Sequence, residues 1–397
     1  MEKFAVFRTP KSIFYGRNAF ENVGKEAVLR GKKALIVSDK IMDNLGYVRK
    51  CQSLLESQGV ASTTYLGVAS EPTDRFVSES LLVFNQEECD LIISLGGGSC
   101  IDTAKAVAVL ASNGGYIGDY MQARKIAEAH PIPHIAIATT AGTGSEATDV
   151  TIITNTTNDV KMMIKQPAFM PDAAIVDPLL TLSSPGQVTA ATGVDALSHA
   201  IEAYLSKKSH PMTDNLALSA MKLIIGSILT AYNDGTNVDA RERMSLGSLQ
   251  AGMAFSNASV CLVHGMSRPI GALFHVPHGI SNAMLLPAVM EFSRDACIER
   301  LGEIGRIFKP DDSNLSNIET SEIAVQSIKE LCQNLKIPNL KGWGIEQQAF
   351  TSVVEKMACD AINSGSPSNN PKVPSHKELV ELYHVCYDYQ FDSGYSI

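Results

Sequence analysis

The 397-residue chain has no C-x-x-C pair, no run of basic residues and no apolar run long enough to span a bilayer. Each absence excludes something. Without paired cysteine ligands, a closed structural zinc site has no basis. The eight cysteines (Cys51, Cys89, Cys100, Cys261, Cys297, Cys332, Cys359 and Cys386) are scattered, and the N-terminal MEKFAVFRTPKSIFYG is charged throughout, unlike a secretory signal. Reduced thiols in a cytoplasmic protein are the expectation. With no basic run and a formal net charge of −9, the chain lacks the face that a nucleic acid or a membrane surface would need. Charged residues are sparse at 19%, which suits a large core or a sizeable subunit interface. No internal repeat or low-complexity tract is present.

What is there falls into two textures, and the length favours two domains. In the first half, apolar runs such as KKALIVSD, CDLIISLGGGS and PHIAIATT alternate with helical patterns. That alternation predicts βαβ units and a parallel sheet. DVTIITNTT and VKMMIKQP read as a hairpin turning at Asn158-Asp159. Near Ser184-Pro185 the pattern changes, with Pro185 expected at a first helical position. Beyond it, apolar residues recur at helical spacing almost to the end. The expected organisation is an α/β dinucleotide-binding domain over 1–183 and an all-α domain over 184–397, with 391–397 a tail of no assigned role.

Two glycine turns follow predicted strands. In SLGGGSCIDTAK, Gly96, Gly97 and Gly98 precede Ser99 and Asp102 at a helix start, where free N–H groups and the helix dipole can hold a phosphate. A plain tight turn with Asp102 stabilising the helix is an equal alternative for this motif alone. In ATTAGTGSEAT, Thr139, Thr140 and Thr143 offer hydroxyls beside further glycines. Two such turns at one sheet edge favour a dinucleotide. In the second half, Asp195 and His199 are i and i+4 on a predicted helix, and Glu202 is three further on. The stretch CLVHGMSRPIGALFHVPHG adds His264, Arg268, His275 and His278. An exposed polar stripe is the bland reading of DALSHAIE by itself. Taken together, Asp195, His199, His264 and His278 make a four-ligand set for a divalent first-row metal, catalytic if coordination positions stay open.

GGGSxxDxxK, TTxGTGSE, DALSHAIE and HGMxxxxG…PHG, in this order, resemble the iron-containing (group III) alcohol dehydrogenases over nearly the whole chain. The branch with lactaldehyde reductase and 1,3-propanediol dehydrogenase is the most similar. The resemblance implies a dehydroquinate synthase-like fold: a nucleotide-binding α/β domain, a helical domain, and Fe²⁺ in the cleft between them. Zn²⁺ or Mn²⁺ suits the same donors. The implied metal ligands are Asp195, His199, His264 and His278. The implied cofactor is NAD(H), along Gly96, Gly97, Gly98, Ser99, Asp102, Thr139, Thr140 and Thr143. Lys161 matches a lysine near the cofactor. Asp39 matches an acid at the adenosine ribose, which would favour NAD over NADP. A homodimer or higher homo-oligomer is also implied.

The chain departs from the family pattern in three places. Glu71-Pro72-Thr73 stands for the usual Asn-Pro-Thr. Cys261 replaces a glycine before the metal histidine. Arg268 replaces a histidine four residues after it, a suspected proton relay in the family. Arg268, His275 and Phe255 are the candidate substrate contacts. An arginine there either pairs with a carboxylate such as Glu146 or binds an anionic group on the substrate. The second reading points to sulfoacetaldehyde, reduced to isethionate, ahead of phosphonoacetaldehyde and succinic semialdehyde. A neutral lactaldehyde or 3-hydroxypropionaldehyde is the alternative. Dehydroquinate synthase, a lyase of the same superfamily, needs extra Lys, Arg and Asn groups not seen here. A non-enzymatic metal-binding or filament-forming protein would leave both glycine turns unexplained.

Overall fold

The computed structural model describes residues 4–311 and 314–391, so most of the C-terminal tail lies outside the described residues. Two compact units meet in sequence at Ser183 and Ser184. The first, Val6–Ser183, is an α/β unit, and the second is helical.

The α/β unit is built on a six-stranded parallel sheet. Its strands are β1 (Ser12–Tyr15), β2 (Lys33–Val37), β3 (Ala61–Tyr65), β4 (Leu91–Gly96), β5 (His134–Ala138) and, after a hairpin, β8 (Ala173–Val176). The order across the sheet is β1-β8-β5-β4-β2-β3. The central strands KALIV, LIISLG and HIAIA are nearly continuous apolar runs because both faces are covered. Alternate residues feed opposite cores. Leu35, Val37 and Ile92 enter one cluster, while Ala34, Ile36, Leu91, Ile93 and Leu95 enter the other. The chain runs from β2 to β3 in one direction and returns to β4 on the other side of β2. That reversal is the switch point at which open α/β sheets bind ligands. The hairpin is β6 (Val150–Asn155) with β7 (Val160–Lys165), antiparallel, and Asp159 takes positive φ at its turn.

The helical unit differs from the sequence reading in two details. Pro185 is not the first helical residue: it caps the Gly186–Leu205 helix with extended ψ of 157°. Its fixed φ suits either place, and the extended ψ puts it just outside. The apolar run from Met212 to Asn233 is also not one helix, since it breaks at Gly226–Ser227 between Pro211–Ile225 and Ile228–Asn233. Among the described residues no single helix is long and apolar enough to cross a membrane. All eight cysteines are free thiols.

His134 opens β5 with its ring buried, 2.8 Å from Ser94 Oγ. Burial, helped by the Lys105 charge, pushes its pKa down to about 3. Below the unfolded value near 6.5 the unfolded chain therefore binds a proton that the folded one refuses. Stability should fall by ~1.4 kcal/mol per pH unit between roughly pH 6.5 and pH 3 from this group. Urea unfolding at pH 7, 6 and 5 checks this. His134→Gln should flatten that part of the profile, and an unchanged slope would show that other groups carry it.

Candidate active site

In the helical unit, Asp195, His199 and Glu202 line one face of the Gly186–Leu205 helix, and all three are buried. His264 is the third residue of the Leu262–Phe274 helix, and His278 opens the His278–Ser293 helix. One ligand atom from each of Asp195, His199, His264 and His278 falls within 4.8 Å of all the others. A glycine next to one of the ligands permits part of this convergence. A Cβ on Gly279 would collide with the Ala191 carbonyl on the Asp195 helix, and one on Gly265 would come within 2.7 Å of Pro367. The His278 helix closes on the Asp195 helix at a point where Gly279 carries no side chain.

Glu202 organises the pocket. Its carboxylate accepts N–H bonds from Cys261 at 2.9 Å and Val263 at 2.6 Å, at the start of the His264 helix. It thus satisfies free donors at the positive end of the helix dipole. Cys261 sits there with negative φ, so no glycine is required at this position. Glu202 Oε2 also lies 2.6 Å from His264 Nδ1. A carboxylate accepts, so Nδ1 carries the proton there and Nε2 faces the other donors, the arrangement expected of a metal-ligating histidine. Burial opposes charge on His264, yet Glu202 and Asp195 outweigh it and push its pKa up to about 9. Burial likewise opposes ionisation of Asp195, but His199, His278 and His264 hold it well below the usual carboxylate range. The pocket as it stands calls for positive charge. Three imidazoles and one carboxylate, with no thiolate, fit a divalent first-row cation.

The three candidate substrate residues separate. Phe255 stacks on His199, with centroids 4.2 Å apart and planes 17° apart, and so fixes the orientation of that ring. His275 caps the Leu262–Phe274 helix in the left-handed region, φ 54°, and is exposed. Arg268 continues the His264 helix by one turn, and the helix carries Pro269 in its interior. Arg268 is buried, 8% exposed. Burial lowers its pKa to about 10, opposed by the Glu202 carboxylate. The Glu202 charge acts on both His264 and Arg268, and their i, i+4 spacing puts the two on one face of their helix.

In the α/β unit, the cofactor candidates gather at the C-terminal ends of β2, β4 and β5. Gly97 caps the Gly98–Asn113 helix. A Cβ on Gly97 would touch Thr140 at 3.5 Å, and one on Gly98 would crowd Thr143 at 2.7 Å. The two turns thus lie against each other, joined also by Thr139 N–H donating to Gly96 O at 3.0 Å. Ser99 is in the first helical turn. Asp39 caps the Lys40–Asn44 helix, accepting from Ile41 and Met42 N–H on one oxygen, while Cys100 Sγ approaches the other. Asp102 turns inward. Ser145 Oγ and Ile152 N–H donate to its carboxylate, and Lys105 Nζ lies 3.9 Å away. It joins the helix to the second turn and the hairpin. Lys105, fully buried, donates to Ser145 Oγ, Thr148 Oγ1 and Val150 O. Lys161 is not free: its Nζ pairs with Glu71 Oε2 at 2.5 Å. The glutamate standing for the family's asparagine therefore meets the lysine that the resemblance assigns to the cofactor.

Sequence reasoning gave Glu202 only as an adjunct, quoted Lys105 within its motif without a role, and missed Asn282. Asn282 sits one helical turn after His278, and Lys105 one turn after Asp102, so i+3 and i+4 spacing from a candidate was the available signal.

A donor set without thiolates, paired with dinucleotide-type turns at a switch point, defines a metal-dependent dehydrogenase that draws its hydride from a nicotinamide nucleotide. The chain belongs to the iron-containing alcohol dehydrogenase family. Residues 10–178 match the model for iron-containing alcohol dehydrogenase, and residues 189–387 match that for the C-terminal part of the Fe-containing alcohol dehydrogenase family. It is 37% identical to 1,3-propanediol dehydrogenase of Citrobacter freundii, over 95% of this chain and 97% of that one. Among solved structures, 1,3-propanediol oxidoreductase superposes with a TM-score of 0.93 at 35% identity, covering 97% of this chain and all of that one. Sulfoacetaldehyde reductase from Bifidobacterium kashiwanohense, in complex with NAD+, superposes with a TM-score of 0.87 at 27% identity, covering 98% and 100%.

Glu202 should matter through the metal. Glu202→Gln keeps the shape but replaces an acceptor with an amide that cannot serve every donor around it. Affinity for Fe²⁺ or Co²⁺, read by competition with a chelating dye, should fall roughly ten- to hundredfold. Unchanged affinity would leave Glu202 as a helix cap only.

Proposed function

We propose that this protein interconverts a short, uncharged primary alcohol and its aldehyde with NAD(H), with Asp195, His199, His264 and His278 holding Fe²⁺. The observation that carries this reading is the convergence of those four donors within 4.8 Å. A divalent ion held there supplies Lewis acidity to a carbonyl oxygen. The chain's own residues do the rest. Glu202 fixes the His264 tautomer, and Phe255 fixes the plane of His199. The paired turns after β4 and β5 offer N–H groups and threonine hydroxyls to the dinucleotide, and no side chain is needed as a nucleophile. Asp39, at the end of β2 beside the Gly96 turn, would accept from a ribose 2′-hydroxyl and repel a 2′-phosphate.

The substrate is taken as neutral because Arg268 is buried and its charge already lies in the field of the Glu202 carboxylate. A guanidinium so placed serves the pocket before it serves a ligand. Likeness to 1,3-propanediol dehydrogenase supports a three-carbon aldehyde such as 3-hydroxypropionaldehyde. The second reading, sulfoacetaldehyde, is favoured by the position of Arg268 one turn from His264 and by likeness to a sulfoacetaldehyde reductase.

NADH oxidation followed at 340 nm against an aldehyde panel decides between them. Neutral aldehydes should show the higher kcat/KM, chelation should abolish turnover, and Fe²⁺ should restore it. If sulfoacetaldehyde is preferred, and Arg268→Ala cuts its kcat/KM alone by roughly ten- to hundredfold, as loss of a charge-assisted contact of ~1.5–3 kcal/mol predicts, the second reading holds. An equal loss on all substrates assigns Arg268 to the pocket's framework.

Cofactor choice has its own test. Two like charges near 4 Å repel by about 1–4 kcal/mol between bulk water and a protein surface. NADH should therefore be preferred over NADPH by about fivefold or more in kcat/KM at roughly that cost. Asp39→Asn keeps a helix cap, removes the charge and should narrow the gap. Equal use of both cofactors by the unaltered enzyme would remove Asp39 from this role.

A further inference from the structure

Asn282 is fully buried, at i+4 from His278 on the same helix. Its side-chain nitrogen donates to Asp195 Oδ1 at 2.6 Å and lies 3.1 Å from His264 Nε2 and 3.2 Å from His278 Nε2. Its amide oxygen has no hydrogen-bond partner among the described residues. The orientation of the amide is chemically determined. An ionised carboxylate only accepts, so turning the amide over would set oxygen against oxygen. A buried amide that leaves its oxygen unsatisfied is a poor way to fill a core, and an apolar side chain of similar size would do that better. The nitrogen is the atom the pocket uses.

We propose that Asn282 is a positioning residue for the metal ligands, its amide holding Asp195 Oδ1 turned toward the imidazole nitrogens. This rests on the metal reading of the donor set. Asp195 Oδ1 lies 3.6 Å from His264 Nε2 and 3.8 Å from His278 Nε2, both farther than the Asn282 nitrogen at 2.6 Å. The contact with Asn282 is the shorter one. It also comes from a different helix. Asp195 belongs to the Gly186–Leu205 helix, and Asn282 to the helix that carries His278. One amide therefore ties two ligand-bearing helices together, at the place where Gly279 lets them touch. A core filler would affect stability alone, whereas a ligand-positioning amide affects metal binding at constant stability.

The test compares the unaltered protein with Asn282→Leu, which keeps volume and removes the donor, and Asn282→Ala, which removes the side chain without adding bulk. Each is titrated with Co²⁺ and Fe²⁺ against a chelating dye. The d–d absorption of the Co²⁺ form and the melting temperature of the metal-free form are recorded alongside. Both variants should bind metal roughly ten- to hundredfold more weakly, with a displaced Co²⁺ spectrum. Asn282→Leu should melt, metal-free, at or above the unaltered temperature. Unaltered affinity and spectrum in whichever variant folds would overturn the proposal and leave Asn282 as a space-filler. If the unaltered protein itself binds neither ion, the metal reading fails and this inference with it. If it binds and the variants match it, only the role of Asn282 falls.

Discussion

Two carboxylates, Asp195 and Glu202, stand seven residues apart on one face of one helix, and both are buried. Stripping a carboxylate of water costs several kcal/mol unless charge and hydrogen bonds replace it. The functional part of the helical unit can be understood as the answer to that cost. Glu202 is met by the N-terminus of a second helix, and that contact fixes where the helix begins. The start in turn fixes His264 in its first turn and Arg268 one turn later. Asp195 is met by imidazoles from three directions and by the Asn282 amide. Arg268 offsets Glu202 from a position that cannot reach water freely. What remains unanswered is the demand of four converging donor atoms for a cation.

The parts of this arrangement that follow from local spacing were legible in the sequence. Asp195 and His199 share a face because they are four apart on a helix, and the glycine turns are conspicuous because apolar strands precede them. The parallel sheet, the hairpin and the helical second half follow from the same periodicity. The contacts that orient the ligands were not legible. Glu202 and Cys261 are 59 residues apart, and Asn282 and Asp195 are 87 apart. No spacing rule connects them. They meet because three helices pack together, two of them in contact at Gly279, which is a property of the fold and not of any segment. Phe255 was associated with the pocket, but its stack on His199 depends on packing in the same way.

The α/β unit solves the converse problem. Glycine occupies its turns and offers no side chain to hold them. Rigidity comes from below. Lys105 and Asp102, one helical turn apart, reach down from the helix to Ser145, Thr148, Val150 and Ile152, tying the second turn and the hairpin to the first turn. Burial brings Lys105 down to about 8 and raises Glu146 to about 7, and each acts on the other's charge. A group that looks like a ligand contact from the motif alone, Asp102, thereby acts as part of the framework on which the turns rest.

The departures from the family pattern share a feature that single-residue reasoning does not reveal. Glu71 is paired with Lys161, the Cys261 thiol lies 3.5 Å from the Glu202 carbonyl oxygen, and Arg268 lies in the field of the Glu202 carboxylate. Each unusual residue is thus engaged by a neighbour within the protein. That matters most for Arg268. A histidine in its place could be neutral and exchange a proton near neutrality. A guanidinium with a pKa near 10, even lowered by burial, holds its proton throughout that range. The proton delivered to the product must then travel by another route than this position. The Arg268 charge is a fixed quantity that Glu202 and the metal site must accommodate at every stage of turnover. The replacement changes the electrostatics of the pocket permanently, where the histidine would have changed them transiently.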